Sequence, residues 1–303
     1  MEHVINTLIP IFSLILLGYF FKYIKFPSID FWPLADKFTY YVLMPSLLVY
    51  KLSNAKVDLD NTLGLVAVSL ISIVVVLATL VVLNFFFRFE NRAFTSIVQG
   101  GIRFNSYVFL AFVDSVYGDK GLVFAAIVMA FVIPFINVMC ISTFAIYTQK
   151  GNFSFVSFFK TILKNPLILA CLLGGLINYS DIAIPLVLFK SLSLLSQSAL
   201  PIGLLSVGVG LEFKYLKSAK SELIVSTFAK LLYFPVVIYG VGILFGLHGM
   251  MLSIAVIFGA MPTAVSGYIL ARELGGDVSL MASIITLQTL ACMGSLFLIV
   301  PIL

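Results

Sequence analysis

The chain has 303 residues, of which 61% are hydrophobic and 10% are charged, and its formal net charge is +5. A soluble domain carries about 25% charged residues, so a chain with a mean hydropathy of +1.15 belongs in a membrane. The basic residues are spread over short connections between apolar runs, which argues against a nucleic-acid partner. The few cysteines and histidines lack metal-ligand spacing, and we expect no bound metal and no enzymatic activity.

Apolar segments follow one another along the whole chain, most of them near the length of about 20 residues that a membrane helix needs. The first has no basic start and no cleavage site, which favours a membrane helix over a signal peptide. We predict ten transmembrane helices, near 4–21, 33–51, 62–87, 94–114, 120–147, 160–179, 185–211, 222–246, 250–273 and 278–303. The longest mainly polar stretch, near 148–155, is a short loop, so we expect a single membrane domain over 1–303.

Basic residues set the predicted orientation. With the N-terminus outside, the outer connections hold Lys51, Lys56 and Lys120. The inner connections then hold the larger set, which is Lys22, Lys25, Arg88, Arg92, Lys150, Lys160, Lys164, Lys214, Lys217, Lys220 and Arg272. Because cytoplasmic loops carry the excess of Lys and Arg, both termini are predicted to lie outside. Lys37 and Lys190 lie nearer the ends of their segments and are expected to extend to the membrane interface.

The second half of the chain repeats the first. Matching positions are Pro10 with Pro166, Gly18 with Gly174, Pro45 with Pro201, Gly118 with Gly276 and Asp119 with Asp277. We therefore predict two repeats of five helices, residues 1–147 and 160–303. Because five is odd, the two repeats cross the membrane in opposite directions, which is typical of secondary transporters.

The fourth segment carries a cation, an amide, a hydroxyl and a phenol between Arg103 and Tyr107. A charge near the bilayer centre costs about 2.5–3.5 kcal/mol or more, so it normally faces a cavity or a partner. The repeat aligns this stretch with Met261–Val265, where Pro262 removes a backbone donor in mid-helix. Paired interruptions of this kind predict that helices four and nine are broken and form a midplane binding site. Helix N-termini at such a site favour carboxylates.

The predicted substrate-binding residues are Arg103, Asn105, Ser106, Tyr107, Pro262, Thr263, Ser266 and Tyr268. Arg103 could bind a carboxylate through two parallel hydrogen bonds, or pair with Asp114. Asn105 could contact substrate or cap a half-helix, and the hydroxyls of Thr263 and Ser266 could instead bond to backbone. Candidates for ion coupling or support are Lys230, Asn137 and Gln288. Lys230 could instead pair with an acid or extend to the interface, and the two amides could form helix–helix contacts.

With the two breaks located, the sequence resembles the auxin efflux carrier family, which includes bacterial malate-permease-like carriers. The residues that carry the resemblance are Asn105, Gly118-Asp119, Lys230, Pro235, Pro262-Thr263-Ala264, Tyr268, Leu270-Ala271 and Gly276-Asp277. The resemblance covers essentially the whole chain. It implies a ten-helix fold like that of the bile-acid and auxin carriers, with a scaffold part, a mobile transport part and elevator-like movement. The implied substrates are organic anions, such as malate or malonate in bacteria and indole-3-acetate in plants.

The sequence departs from the family pattern in two places. Family members often have a proline where the fourth helix crosses, but none occurs between Arg103 and Tyr117, so that break rests on Asn105 and Ser106 or is milder. The long hydrophilic loop of the plant carriers is also absent, which favours the short bacterial type in the cytoplasmic (inner) membrane.

We therefore predict a multi-pass secondary carrier of a small organic anion, with the lipid bilayer as its surroundings and a homodimer as a candidate assembly. No cofactor is expected, and coupling to protons or to sodium is left open. The alternatives are a bile-acid-type sodium symporter and, from a different class, a channel or receptor-like membrane protein.

Overall fold

The computed structural model of the chain describes residues 2–54, 62–148, 164–180, 182–218 and 221–299. Every regular element in these ranges is a helix, and six helical stretches are long and apolar enough to cross a membrane. Some predictions fall outside these ranges. They are the predicted loop near 148–155 except for Thr148, the residues 160–163 and 300–303 of two predicted helices, and Lys56, Lys150, Lys160 and Lys220. The protein is an all-helical integral membrane protein.

In chain order, the α-helices are α1 Glu2–Tyr23, α2 Phe31–Phe38, α3 Met44–Ser53, α4 Thr62–Phe87, α5 Asn91–Ile102, α6 Ser106–Thr148, α7 Pro166–Tyr179, α8 Leu186–Val209, α9 Ser221–Phe228, α10 Phe234–Leu244, α11 Gly249–Ala260, α12 Ser266–Leu274 and α13 Val278–Ile299. Within the described ranges, each predicted segment coincides with one of these helices or with two in succession, except that the fourth and fifth segments share α6. The inverted repeat itself stays a prediction.

Two predicted segments each consist of a pair of α-helices joined by one wide turn. The π-helical turn Thr39–Leu43 joins α2 to α3 just before Pro45, and the π-helical turn Ala229–Tyr233 joins α9 to α10 just before Pro235. A proline lacks a backbone donor and its ring clashes with the preceding turn of an α-helix, which a locally wider turn relieves. The two prolines therefore modify these segments without ending them.

The predicted connection between the fourth and fifth segments is not a loop, which corrects their predicted ends at 114 and 120. Helix α6 is helical throughout except at Gly118, whose φ of 59° and ψ of −151° turn the chain sharply. Only glycine adopts this conformation without steric cost, because it has no Cβ. A single residue thus replaces the expected connection.

The helices pack in two groups. The first group consists of α1, α2, α3, α7 and α8, in which α1 packs on α8 and α3 packs on α7 and α8. The second group consists of α4, α5, α6 and α9 to α13, and α6 also contacts α1, α3, α7 and α8 across the boundary. A Cβ added to Gly208 would lie 1.8 Å from the carbonyl oxygen of Ile15, so glycine permits the backbones of α1 and α8 to touch.

Aromatic rings fill the centre of the second group. The ring of Phe258 in α11 lies 4.8 Å from Phe104, 5.5 Å from Phe234 and 6.0 Å from Phe109, measured between centroids. Edge-to-face arrangements such as these stabilise a core beyond the burial of area alone. Because Phe104 belongs to the interruption between α5 and α6, this cluster fixes the interruption against α11.

Candidate functional site

The fourth and ninth predicted segments are both interrupted, as predicted, and the two interruptions are in contact. Helix α5 ends at Ile102 and α6 begins at Ser106, while α11 ends at Ala260 and α12 begins at Ser266. The backbone N–H of Asn105 donates to the carbonyl oxygen of Pro262 over 2.7 Å. The fourth predicted segment is therefore broken without a proline. The short extended stretches between α5 and α6 and between α11 and α12 cross in direct contact.

Asn105 explains how the first break forms in the absence of proline. Its Oδ1 accepts hydrogen bonds from the backbone N–H groups of Tyr107 at 3.1 Å and Val108 at 3.2 Å. This is the N-cap arrangement, in which a side chain satisfies the free donors of a new helix. Its Nδ2 makes no hydrogen bond to the residues that the structure describes.

Two buried side chains form hydrogen bonds to backbone groups at the breaks and in the helices beside them. The amide of Gln288 accepts from the N–H of Thr263 at 2.9 Å and donates to the carbonyl oxygens of Gly100 at 3.0 Å and Ser226 at 3.2 Å. The hydroxyl of Thr263 donates to the carbonyl oxygen of Gln99 over 3.3 Å. Non-helical backbone inside a membrane is tolerated only when it is satisfied in this way or lines a cavity.

Arg103 is oriented by neutral groups. Its Nη2 donates to Oδ1 of Asn137 at 2.9 Å, and its Nη1 donates to Oε1 of Gln99 at 3.5 Å. Asp114, the alternative ionic partner, lies 3.5 Å from Nζ of Lys51 instead. Within the described ranges no carboxylate lies within 4.0 Å of the Arg103 guanidinium, so its positive charge is positioned but not neutralised.

A cavity of about 550 Å³ lies beside the crossing. The residues that line it are Pro33, Asp36, Lys37, Tyr40, Tyr41, Met44, Arg103, Phe104, Asn105, Ser106, Tyr107, Ile133, Ile136, Asn137, Leu167, Ser206, Val207, Ala264, Val265, Ser266 and Ile269. The predicted substrate-binding residues among them are Arg103, Asn105, Ser106, Tyr107 and Ser266, and the predicted support residue Asn137 also lines the wall. The structure brings these six side chains to one cavity, and their binding of a substrate stays a prediction.

The other predicted residues do not line this cavity. Pro262 and Thr263 are buried in the crossing itself. Tyr268 packs against a small apolar cluster formed by Ala271, Met281 and Ile285, and Gln288 is fully buried behind the break. Of these, Thr263 and Gln288 bond to the backbone around the breaks.

Lys230 is also away from the cavity, inside the second group of helices. Its side chain is fully buried in the π-helical turn before α10. Its Nζ lies 4.3 Å from the ring centroid of Phe234 and 5.3 Å from that of Phe258, and it has no hydrogen-bond partner among the described residues. Aromatic faces are the groups that contact its ammonium.

The sequence prediction missed the wall that the first group of helices contributes. Asp36, Tyr40 and Ser206 line the cavity, and so does Lys37, which was expected to extend to the interface. The Tyr107 hydroxyl donates to Oδ1 of Asp36 over 3.2 Å, so this wall contacts the broken helix directly. An ionisable residue within an apolar segment was the signal available for Asp36, and it is the same signal that drew attention to Arg103.

Basic side chains outnumber acidic ones on the wall of the cavity. No group of three or more His, Cys, Asp and Glu side chains suited to a metal occurs in the part of the chain that the structure describes. The ionisable side chains on the wall, phenols aside, are Arg103, Lys37 and Asp36. Helices α6 and α12 both begin at the wall, and their N-termini add partial positive charge.

The family described as membrane transport protein matches residues 3–300 of the chain. The chain belongs to the auxin efflux carrier family. A proposed malonate transporter of Rhizobium meliloti (strain 1021) is 23% identical over 289 residues, which are 91% of this chain and 88% of that protein. The uncharacterized transporter YfdV of Escherichia coli (strain K12) is 27% identical over 298 residues, which are 93% of each chain.

A plant member of the auxin efflux carrier family matches over a shorter range. Auxin efflux carrier component 4 of Arabidopsis thaliana is 31% identical over 123 residues, which are 38% of this chain and 20% of the plant protein. The family resemblance found in the sequence is thus confirmed. Family membership and the apolar helices make the protein a multi-pass membrane transport protein with a small-molecule substrate, and the relatives named here are described as transporters or carriers.

Proposed function

We propose that this auxin efflux carrier family member is a secondary carrier of a small organic anion, whose carboxylate binds Arg103. The observation that carries the proposal is the state of the guanidinium, which two amide oxygens orient and no described carboxylate neutralises. Its remaining N–H groups can form the bidentate pair that arginine makes with carboxylates. Nδ2 of Asn105 and the hydroxyl of Ser266 are the nearby donors that complete the site.

The size of the cavity supports a compact substrate. A volume of about 550 Å³ lies within the usual range of small-molecule sites, roughly 300–1,000 Å³. It accommodates a short dicarboxylate such as malonate, the substrate proposed for the Rhizobium relative, and also an auxin-like aromatic carboxylate. Coupling to protons or sodium, and assembly as a homodimer, are kept as separate hypotheses.

The positions of the lining residues support an inward-facing state of the carrier. With both termini outside a bacterial cytoplasmic membrane, Pro33 and Val207 belong to the inner halves of their helices. Ile269 and Leu167 do as well, although their helices run in opposite directions. We therefore place the mouth of the cavity at the cytoplasmic side, and the two helix groups serve as scaffold and mobile transport part in an elevator-like movement.

Uptake into proteoliposomes tests this function. The panel contains malonate, malate, lactate and indole-3-acetate, with a neutral sugar and a quaternary ammonium as other classes of solute. We expect saturable uptake of at least one carboxylate, and loss of that uptake in Arg103→Ala and Asn105→Ala. Lys190→Ala, which changes an exposed lysine on α8, is the matched control and is expected to transport like the wild type.

Three results would contradict the proposal in different ways. Wild-type uptake in both cavity variants would show that the site is elsewhere. Uptake of only the neutral or cationic solute would show that the substrate class is wrong. Flux that does not saturate would favour a channel over a carrier.

A further inference from the structure

Uncharged side chains of two helices hold the guanidinium of Arg103. Gln99 of α5 accepts from Nη1 at 3.5 Å, and Asn137 of α6 accepts from Nη2 at 2.9 Å. The thiol of Cys140, three residues beyond Asn137, also interacts with the guanidinium. Because residues three apart share one face of a helix, the guanidinium lies against a defined face of α6.

Asn137 provides the better of the two amide contacts. Its distance of 2.9 Å to Nη2 falls within the usual range for an N–H···O bond, about 2.7–3.2 Å, whereas the 3.5 Å between Gln99 and Nη1 exceeds it. Asn137 and Arg103 both line the cavity, while Gln99 is fully buried behind it. Asn137 is therefore the contact that sets how the guanidinium is directed at the cavity wall.

The chemical type of this contact decides how much positive charge Arg103 presents. A carboxylate in the place of the Asn137 amide would accept the same hydrogen bond more strongly and would also cancel the charge. An amide oxygen accepts the bond and adds no net charge. A guanidinium has more N–H donors than these two amides engage, so a ligand meets both free donors and an undiminished positive charge.

We infer that Asn137 is a positioning residue, which directs Arg103 toward the substrate and, because it is uncharged, makes the site select anions. This inference rests on the proposed function, since Arg103 must be the group that binds a carboxylate. It predicts that affinity depends on the charge at position 137 and not only on the hydrogen bond made there. A residue that merely supports the fold would show no such dependence on charge.

Two substitutions of similar size separate the charge from the hydrogen bond. Asn137→Asp keeps an oxygen acceptor and adds a negative charge, whereas Asn137→Leu removes the acceptor and adds no charge. Binding of radiolabelled malonate, malate, lactate and indole-3-acetate to purified protein is measured together with thermal unfolding in detergent. Asn91→Asp, at the exposed first residue of α5, is the matched control for the added charge. If Asn137→Asp does not fold, Gln99→Glu places the negative charge at the other contact.

We expect affinity and stability to rank the variants in opposite orders. Asn137→Asp should bind carboxylates about tenfold or more weakly, because like charges in one site are strongly disfavoured. It should unfold at the same or a higher temperature than the wild type, because its bond to Arg103 is charge-assisted. Asn137→Leu should bind about two- to tenfold more weakly and unfold at a lower temperature, since Arg103 loses its closest acceptor. Asn91→Asp should match the wild type in both measurements.

The outcomes distinguish this inference from the proposed function. Wild-type affinity in Asn137→Asp, or in Gln99→Glu where it replaces that variant, overturns the inference alone if Arg103→Ala loses affinity. Affinity that simply follows stability, with Asn137→Leu binding most weakly, also overturns it alone, because Asn137 would then only support the fold. A wild type that binds none of the four carboxylates, or an Arg103→Ala variant that binds like the wild type, overturns both.

Discussion

Single residues at the crossing each connect two parts of the molecule. Asn105 caps α6 with its side-chain oxygen and bonds to the facing break through its backbone N–H. Its Nδ2 remains for the cavity. The capping role predicted for Asn105 is thus observed, and its contact with a substrate stays a prediction.

Lys230 gives a prediction about stability. Its buried Nζ lacks a hydrogen-bond partner among the described residues and lies against Phe234 and Phe258. Lys230→Met keeps the volume, offers a thioether that packs well on aromatic rings, and removes a buried amino group that has no hydrogen-bond partner. We expect thermal unfolding in detergent at the same or a higher temperature than for the wild type.

Lys230→Ala provides the contrast, because it leaves a void beside the two rings. Such large-to-small changes cost about 2–5 kcal/mol, so its unfolding temperature should fall clearly. Lys190→Met, at an exposed position, is the control and should change little. A loss of stability in Lys230→Met as large as that in Lys230→Ala would show that the charge itself holds the fold.

For single residues, the sequence identified polar side chains inside the membrane segments better than it predicted what each of them contacts. A polar side chain in an apolar segment is visible in the sequence, and Arg103 and Asn137 were found in this way and do contact each other. Whether such a residue faces a cavity or a buried backbone group depends on tertiary packing. That is why Thr263 and Tyr268 were expected at the cavity and lie away from it. Asp36 was missed because its segment is not interrupted at the crossing.

At the scale of elements, the crossing is held by the helices behind it. Gln288 of α13 bonds to the backbone of the break that precedes α12, to the end of α5 and to α9 through three hydrogen bonds. A helix from the end of the chain therefore fixes both interruptions. The break positions were predictable, because repeat alignment and proline mark them, but their partners come from residues far away in the sequence.

Gln288→Leu tests this support. The substitution preserves burial but leaves the N–H of Thr263 and the carbonyl oxygens of Gly100 and Ser226 without their partner. Each buried polar group left unsatisfied costs about 1–3 kcal/mol. We expect a marked fall in the thermal unfolding temperature and loss of uptake.

Gln197→Leu is the matched control for that experiment, since Gln197 is exposed on α8. It should unfold and transport like the wild type. Equal behaviour of the two leucine variants would show that the crossing does not depend on Gln288.

At the scale of the whole molecule, an ion cluster joins the two helix groups at one end. Lys51, at the end of α3, pairs with Asp114 at 3.5 Å and also with Asp119, and these two acids flank the turn in α6 at Gly118. Lys51 is at one end of the second predicted segment, 33–51, and the cavity reaches its other end near Pro33. In the proposed inward-facing state the cluster lies opposite the mouth, where it would hold the two groups together.

Lys51→Gln should therefore shift the carrier away from the inward-facing state. An exposed ion pair contributes about 0.2–1 kcal/mol, so removal of two pairs predicts a shift of roughly two- to thirtyfold in the ratio of states. The readout is labelling of Ser206→Cys by a membrane-impermeant reagent from each side, with Cys140, Cys171 and Cys292 replaced by alanine. We expect less labelling from the cytoplasmic side and more from the outside.

Lys120→Gln controls for the loss of a positive charge at the same end, because the described chain shows no ion pair for Lys120. Its labelling should match that of the parent protein. An unchanged pattern in Lys51→Gln would mean that the cluster does not influence which side the cavity faces.

The central claim is that a substrate carboxylate binds the guanidinium of Arg103, and equilibrium binding of a radiolabelled carboxylate to purified protein tests it most directly. The probe is whichever carboxylate of the uptake panel the wild type transports fastest. Because a bidentate charged pair is lost, Arg103→Gln should bind it about 100-fold more weakly, and Arg103→Lys should lie between that variant and the wild type. Lys190→Gln should bind it with unchanged affinity. Wild-type affinity in Arg103→Gln would contradict the account.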